Sequence, residues 1–214
     1  MKQFLACAAL LLALAGMAPV SAQLAGRTAD EWIARLETPE RMQSLKVGDV
    51  LSKLGLKPGQ TVADIGAGTG IFSIQFSRAV RPGGRIYAVE VDEKLVEHIL
   101  SSAAEQGIGN IEGVHGEYDD PSLPEEVDFA FIHDVLHHIE HRDVYLKKLA
   151  GYLKPAGRVA IIDFKPGQGG HPGDPSLQVS QEQTTAWMAA AGFKPMEVIS
   201  DLFADRWFVI YGRS

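Results

Sequence analysis

The sequence predicts an α/β fold: a doubly wound sheet of seven strands, mostly parallel, with helices on both faces. Three observations carry this. Short apolar runs alternate with amphipathic segments of helical period from Thr61 to Phe164. A glycine-rich loop, GAGTG, follows the first apolar run and opens a helix. The chain then ends in two apolar runs close enough to pair as a hairpin, which gives an otherwise parallel sheet an antiparallel edge at its last strand.

Taken in order, residues 1–22 combine Lys2, an apolar run from Phe4 to Met17, and Val20-Ser21-Ala22, the pattern of an export signal cleaved after Ala22. That run is too short to span about 30 Å of hydrocarbon comfortably, so no stable membrane span is expected after cleavage. Cleavage would remove Cys7, the only cysteine, and with it any disulfide, thiolate ligand or cysteine nucleophile. Lys2 is the only charged residue in the segment, so the net charge would go from −7 to −8, which argues against a general nucleic-acid surface. The expected location is outside the cytoplasm, periplasmic or secreted. Residues 23–214 suit one domain, and residues 23–56 form N-terminal helices covering its site.

Trp32, Ile33 and Leu36 make one helical stripe and Val47, Val50, Leu51 and Leu54 another; Thr28 and Thr38 are their caps, the second followed by Pro39. Lys57-Pro58-Gly59 breaks the pattern before a strand, Thr61–Ile65. A helix over Gly70–Val80, a strand over Arg85–Glu90, a helix over Glu93–Glu105 and a strand over Ile111–His115 follow. Next come a strand over Val127–His133, a helix over Arg142–Leu153, a strand over Arg158–Phe164 and a helix over Ser180–Ala191. Met196–Ile199 and Trp207–Tyr211 form the hairpin. The segment KPGQGGHPGDP, residues 165–175, is too rich in glycine and proline for either element; it is either a lid over the ligand edge or a solvated connector.

The glycine loop fails the dinucleotide spacing G-x-G-x-x-G. Counting from Gly66 the third position is Ile71, and counting from Gly68 it is Ser73. What remains is a strand, an acidic residue and a loop that lets the backbone approach a ligand closely. Val62-Ala63-Asp64-Ile65-Gly66-Ala67-Gly68-Thr69-Gly70 resembles the first motif of the class I S-adenosylmethionine-dependent methyltransferases. Ile86-Tyr87-Ala88-Val89-Glu90, Val127-Asp128-Phe129-Ala130-Phe131-Ile132-His133 and Leu153-Lys154-Pro155-Ala156-Gly157-Arg158 resemble the family's later motifs in order and spacing, covering roughly residues 45–211.

The resemblance implies a Rossmann-like fold, S-adenosylmethionine as cofactor and a small-molecule acceptor. It also implies cofactor-binding roles for Asp64, Gly66, Ala67, Gly68, Gly70 and Glu90, with His133 at the same edge. Glu90 lies 20 residues beyond Gly70 and can accept both ribose hydroxyls. For the adenine amino group, Glu117 and Asp119 are both candidates. In HDVLHHIEHRD, residues 133–143, His133 or His137 is a candidate base or positioning group, against plain packing at a strand-to-helix turn. His137 and His141 would share a helical face, yet H-E-x-x-H and cysteines are lacking, so no metal is expected. His171 is a further candidate for the pocket. Trp187, Phe193, Trp207 and Phe208 read as core. An exported binding protein that keeps the pocket without transferring methyl groups is the alternative function; Ile71 disfavours a nicotinamide oxidoreductase.

Overall fold

A computed structural model describes residues 27–214 of the chain. The proposed signal segment, residues 1–22, lies outside the described residues. Three short helices come first: α1 (Ala29–Leu36), α2 (Pro39–Ser44) and α3 (Val47–Leu54). The sheet then forms from β1 (Thr61–Ile65), β2 (Arg85–Glu90), β3 (Ile111–His115), β4 (Val127–His133), β5 (Leu153–Phe164), β6 (Phe193–Ile199) and β7 (Arg206–Arg213). The intervening helices are α4 (Ile71–Ala79), α5 (Glu93–Glu105), α6 (Arg142–Gly151) and α7 (Gln181–Ala190).

The strand order is β3-β2-β1-β4-β5-β7-β6. β1 pairs in parallel with both β2 and β4, so the order reverses between β1 and β4, the point where open α/β sheets bind ligands. Alternation along each strand divides the core in two. Val62, Phe129, Phe131, Ala160, Ile162 and Phe208 face α3, α4 and α5, where Leu54, Phe76 and Ile99 meet them. Ala63, Ile65, Ala130, Ile132, Ile161 and Val209 face α6 and α7, where Leu146, Leu149 and Met188 meet them. Because both faces are covered, the central strands β1, β2, β4 and β7 are largely continuous buried runs rather than alternating ones, whereas the edge strands β3 and β6 are much more exposed. Trp207 and Phe193 lie in the second of these clusters with Trp187 packed against it, while Phe208 lies in the first.

Three details differ from the sequence expectation. The last strand is antiparallel but does not form an edge: β7 lies between β5 and β6 and pairs antiparallel with both, leaving β6 outermost. The second N-terminal helix is two helices, because Lys46 takes a left-handed conformation (φ 46°) and ends α2 before Val47 starts α3. β5 begins at Leu153, which pairs with Val127 before the register slips and Arg158 pairs with Phe129; Pro155 and Gly157 sit in that excursion. The capping expectations hold: the Thr28 hydroxyl accepts from the Glu31 N–H in a capping box, and the Thr38 hydroxyl accepts from the Arg41 N–H.

One ionic cluster ties the N-terminal helices to the sheet. Asp134, just past β4, accepts from Arg206 of β7 at 2.9 and 3.0 Å and from Arg41 of α2 at 2.7 Å. Although burial works against its charge, His133, Arg206 and Arg41 hold the Asp134 carboxyl well below the usual carboxylate range. Asp134 keeps φ at 54°, a conformation that aspartate tolerates better than most residues. Removing one member of a buried pair strands the other charge. Asp134→Ala is therefore expected to lower unfolding stability by about 3 kcal/mol, read from urea denaturation midpoints; an unchanged midpoint would show that the cluster does not hold the helices down.

Candidate functional site

A cavity of about 1070 Å³ opens at the carboxyl ends of β1, β2 and β4. Its floor is the loop after β1. Gly66, Gly68 and Gly70 all have positive φ, at 65°, 58° and 78°. A side chain at Gly66 would run into Val135, and one at Gly70 would come within 2.9 Å of Ile99 on α5. Glycine is thus required there both by conformation and by space. Gly66, Ala67 and Gly68 border the cavity, whereas Gly70 stands behind it as the residue that starts α4.

Two carboxylates flank this loop. Asp64 is 3% exposed, and its Oδ2 accepts from the Ser73 hydroxyl at 2.6 Å. Burial, with a smaller contribution from the nearby Glu90 charge, pushes its carboxyl up to about 7. Glu90, at the end of β2, accepts from the Gly68 N–H at 3.0 Å through Oε2 and from the Val91 N–H at 2.8 Å through Oε1. Burial raises the Glu90 carboxyl as well, against the lowering effect of those two N–H groups. Among the described residues no lysine or arginine forms an ion pair with either carboxylate. The contrast with Asp134, which holds two arginines, is direct.

Thr69 Oγ1 in the loop and His133 Nε2 at the end of β4 are buried without hydrogen-bond partners, and both residues border the cavity. Burial pushes the His133 imidazole down to about 4, so the ring is neutral near pH 7. It packs against Phe72 and Phe131, with ring centroids 5.1 and 5.9 Å away. The two adenine candidates separate. A tight turn closes between Glu117 and Asp120 through the Glu117 N–H and the Asp120 carbonyl at 2.8 Å. Glu117 borders the cavity, whereas Asp119 pairs with Lys148 of α6 at 2.7 Å and does not border it.

His137 lies in a 3-10 turn, Leu136–His138, rather than in a helix, so it does not share a face with His141, which is exposed ahead of α6. Its Nδ1 is 2.7 Å from Asp163 Oδ1, and its backbone N–H donates to Asp163 Oδ2 at 3.0 Å. An ionised carboxylate only accepts, so Nδ1 carries the proton and Nε2 is left with a lone pair. Arg142 holds the turn through the carbonyls of Leu136 and His137, and donates to the Ser176 carbonyl at 2.6 Å. The glycine-rich segment after β5 is thereby fixed beside the turn, and His171 and Gly170 border the cavity. From the other side, Trp32 and Leu36 of α1 and Arg41 of α2 close over the opening.

Sequence reasoning missed Asp134, Arg41, Arg206 and Asp163. A usable signal existed for two of them: an arginine directly before the run WFVIY and an aspartate directly after VDFAFIH are charges at the ends of buried strands.

Comparison with known proteins agrees with this geometry. Residues 62–157 match the model of a methyltransferase domain. The ubiquinone/menaquinone biosynthesis C-methyltransferase UbiE of Pseudomonas putida is 30% identical over 112 residues, which cover 51% of this chain and 44% of that protein. The chain thus spans less than half the length of that curated relative. Among solved structures, a SAM dependent methyltransferase from Aquifex aeolicus superposes with a TM-score of 0.76 at 26% identity, covering 88% of this chain and all of the other. Magnesium protoporphyrin IX methyltransferase from Synechocystis PCC 6803, with bound SAM, gives 0.70 at 19% identity over 94% of this chain and 99% of that one. The architecture is the Rossmann-like methyltransferase fold.

Proposed function

We propose that this chain is an S-adenosylmethionine-dependent methyltransferase that acts on a small-molecule acceptor. The observation that carries the proposal is the pair of carboxylates, buried Asp64 and half-buried Glu90, set without protein cations on either side of the glycine loop. A site of this kind is built for a ligand that brings positive charge. A dinucleotide would instead bring a diphosphate to the loop beside Asp64, where like charges repel.

The residues fit the donor. Glu90 spends one lone pair of each oxygen on a backbone N–H and keeps others for the ribose hydroxyls. In this reading Asp64 takes the ammonium, directly or through water, and Glu117 the adenine amino group, which their position on the cavity lining supports. Thr69 Oγ1 and His133 Nε2, which no protein group satisfies, are available to a polar ligand in the cavity. When bound, S-adenosylmethionine supplies a methyl carbon made electrophilic by the adjoining sulfonium.

Displacement of that methyl neutralises positive charge, so the protein need not protonate a leaving group. Its tasks are alignment and exclusion of water. α1, α2 and the segment over residues 165–175 enclose the cavity to that end. On the acceptor side the His137 imidazole is held by the buried Asp163 carboxylate through Nδ1, with Nε2 turned to meet an acceptor proton. His133, neutral and packed among aromatic rings, is a positioning group rather than a proton carrier near pH 7.

Export through residues 1–22 belongs to the same proposal and rests on Lys2, the apolar run and Val20-Ser21-Ala22. Fractionation with amino-terminal sequencing is expected to find a chain beginning at Gln23 outside the cytoplasm; an intact Met1 in soluble cytoplasm would refute it. For the activity, Glu90→Ala should weaken S-adenosylmethionine binding about 30-fold, the equivalent of ~2 kcal/mol for hydrogen bonds to a charged group, with NAD bound by neither protein. Transfer of labelled methyl into a small-molecule extract by the mature chain is the matching activity readout. Tight donor binding with no transfer from any extract would favour the exported binding protein instead.

A further inference from the structure

His137, His138 and His171 come together at the rim of the cavity on the side away from the glycine loop. One ring nitrogen from each lies within 4.8 Å of the others. The ring centroids of His137 and His138 are 4.1 Å apart, and those of His138 and His171 are 5.4 Å apart. We propose that these three histidines form a binding site for a divalent transition-metal ion of the zinc type, open toward the acceptor side of the cavity.

Each ring is prepared for this in a different way. Asp163, 1% exposed, fixes His137 through Nδ1–H and leaves Nε2 as a ligand atom, the arrangement in which a carboxylate orients a metal-bound imidazole. His138 Nδ1 is buried with no hydrogen-bond partner, so nothing in the protein fixes its tautomer and a cation would satisfy the ring. His171 comes from the glycine-rich segment, where Gly167 and Gly169 both have φ of 81°. That segment is nevertheless anchored: the His171 carbonyl accepts from Gln178 Nε2 at 2.7 Å, and the Gly167 N–H donates to Gln178 Oε1 at 2.7 Å. A tetrahedral zinc with three imidazoles needs nitrogens about 3.3 Å apart, so the rings have only to close slightly, and His171 sits on the segment best able to do so.

The donor set is also chemically consistent. Three neutral imidazoles suit zinc, nickel, copper or ferrous iron and are poor ligands for magnesium or calcium. All three rings border the cavity, so the position left by three protein ligands faces the space where an acceptor sits. There a metal would lower the pKa of an acceptor hydroxyl, a role that His137 as a ligand could no longer play as a base. The glycine-rich segment is thus more than a connector: it carries the third ligand.

The test uses the mature chain without an affinity tag. Titration with Co²⁺ is expected to give one equivalent bound and visible absorption bands of a low-coordinate nitrogen site, displaced by Zn²⁺. His171→Ala, a change on a surface segment, should abolish the bands, and Asp163→Asn should weaken binding about 10–100-fold. His141→Ala, outside the cluster, should leave both bands and affinity as they were. Absence of stoichiometric binding, or bands unchanged in His171→Ala, would overturn the site. No methyl donor is present in this titration, so its failure would leave the proposed function standing, and failure of donor binding would leave the metal site standing.

Discussion

The arrangement depends on withdrawing two carboxylates from water, Asp64 fully and Glu90 in part, without giving them cations. Burying an ionised group is expensive unless it is paired or hydrogen-bonded. The fold meets part of that cost with backbone N–H groups on Glu90 and the Ser73 hydroxyl on Asp64, and leaves the rest unmet. Everything around them follows from holding that unfavourable state in place. The glycines bring the loop close enough for the Gly68 N–H to reach Glu90, Val135 and Ile99 fill the space that side chains there would need, and the strand order reverses between β1 and β4 at this point. In the proposed reading a cationic ligand would offset that cost, so the same residues that are costly to bury would favour binding of the donor.

The second constraint is the opposite case. Asp134 is just as buried but fully compensated, by Arg206 from the far end of the chain and Arg41 from the N-terminal helices. It serves to fasten α2 across the opening. The two kinds of buried aspartate, one satisfied and one waiting, distinguish a structural charge from a binding charge in one pocket. Between them lies His133, neutral because burial outweighs the pull of Asp134.

How far the sequence revealed this depends on the range of each interaction. β1, β2 and β4 were legible with their bounds because they are largely buried apolar runs closed by glycine, proline or charge, and the edge strand β3 because it falls between two helical or loop breaks in the alternation. Asp64, Gly66, Gly68 and Glu90 were legible because their spacing is local. The place of β7 was not: antiparallel pairing with β5 as well as β6 is decided by which neighbour covers the core, not by a local turn. Nor was the break at Lys46, where a left-handed residue divides a continuous helical pattern. Asp134 and its arginines are 93 and 72 residues apart in sequence, and the histidine cluster joins a turn after β4 to a segment after β5. Such contacts leave no periodic trace. Glu117 and Asp119 are not distinguished by local sequence; what differs is that Glu117 borders the cavity while Asp119 pairs with Lys148.

The central claim, that Asp64 waits for a cationic ligand, is tested most directly by the protons released when the ligand binds. With its carboxyl pushed up to about 7 by burial, Asp64 is mostly protonated at pH 6.5 and must ionise to meet an ammonium group. Calorimetric titration of the mature protein with S-adenosylmethionine at that pH, in buffers of different ionisation enthalpy, should show release of roughly three-quarters of a proton per site. The release should vanish in Asp64→Asn. Heats that do not depend on the buffer, or a release that persists in Asp64→Asn, would contradict the account.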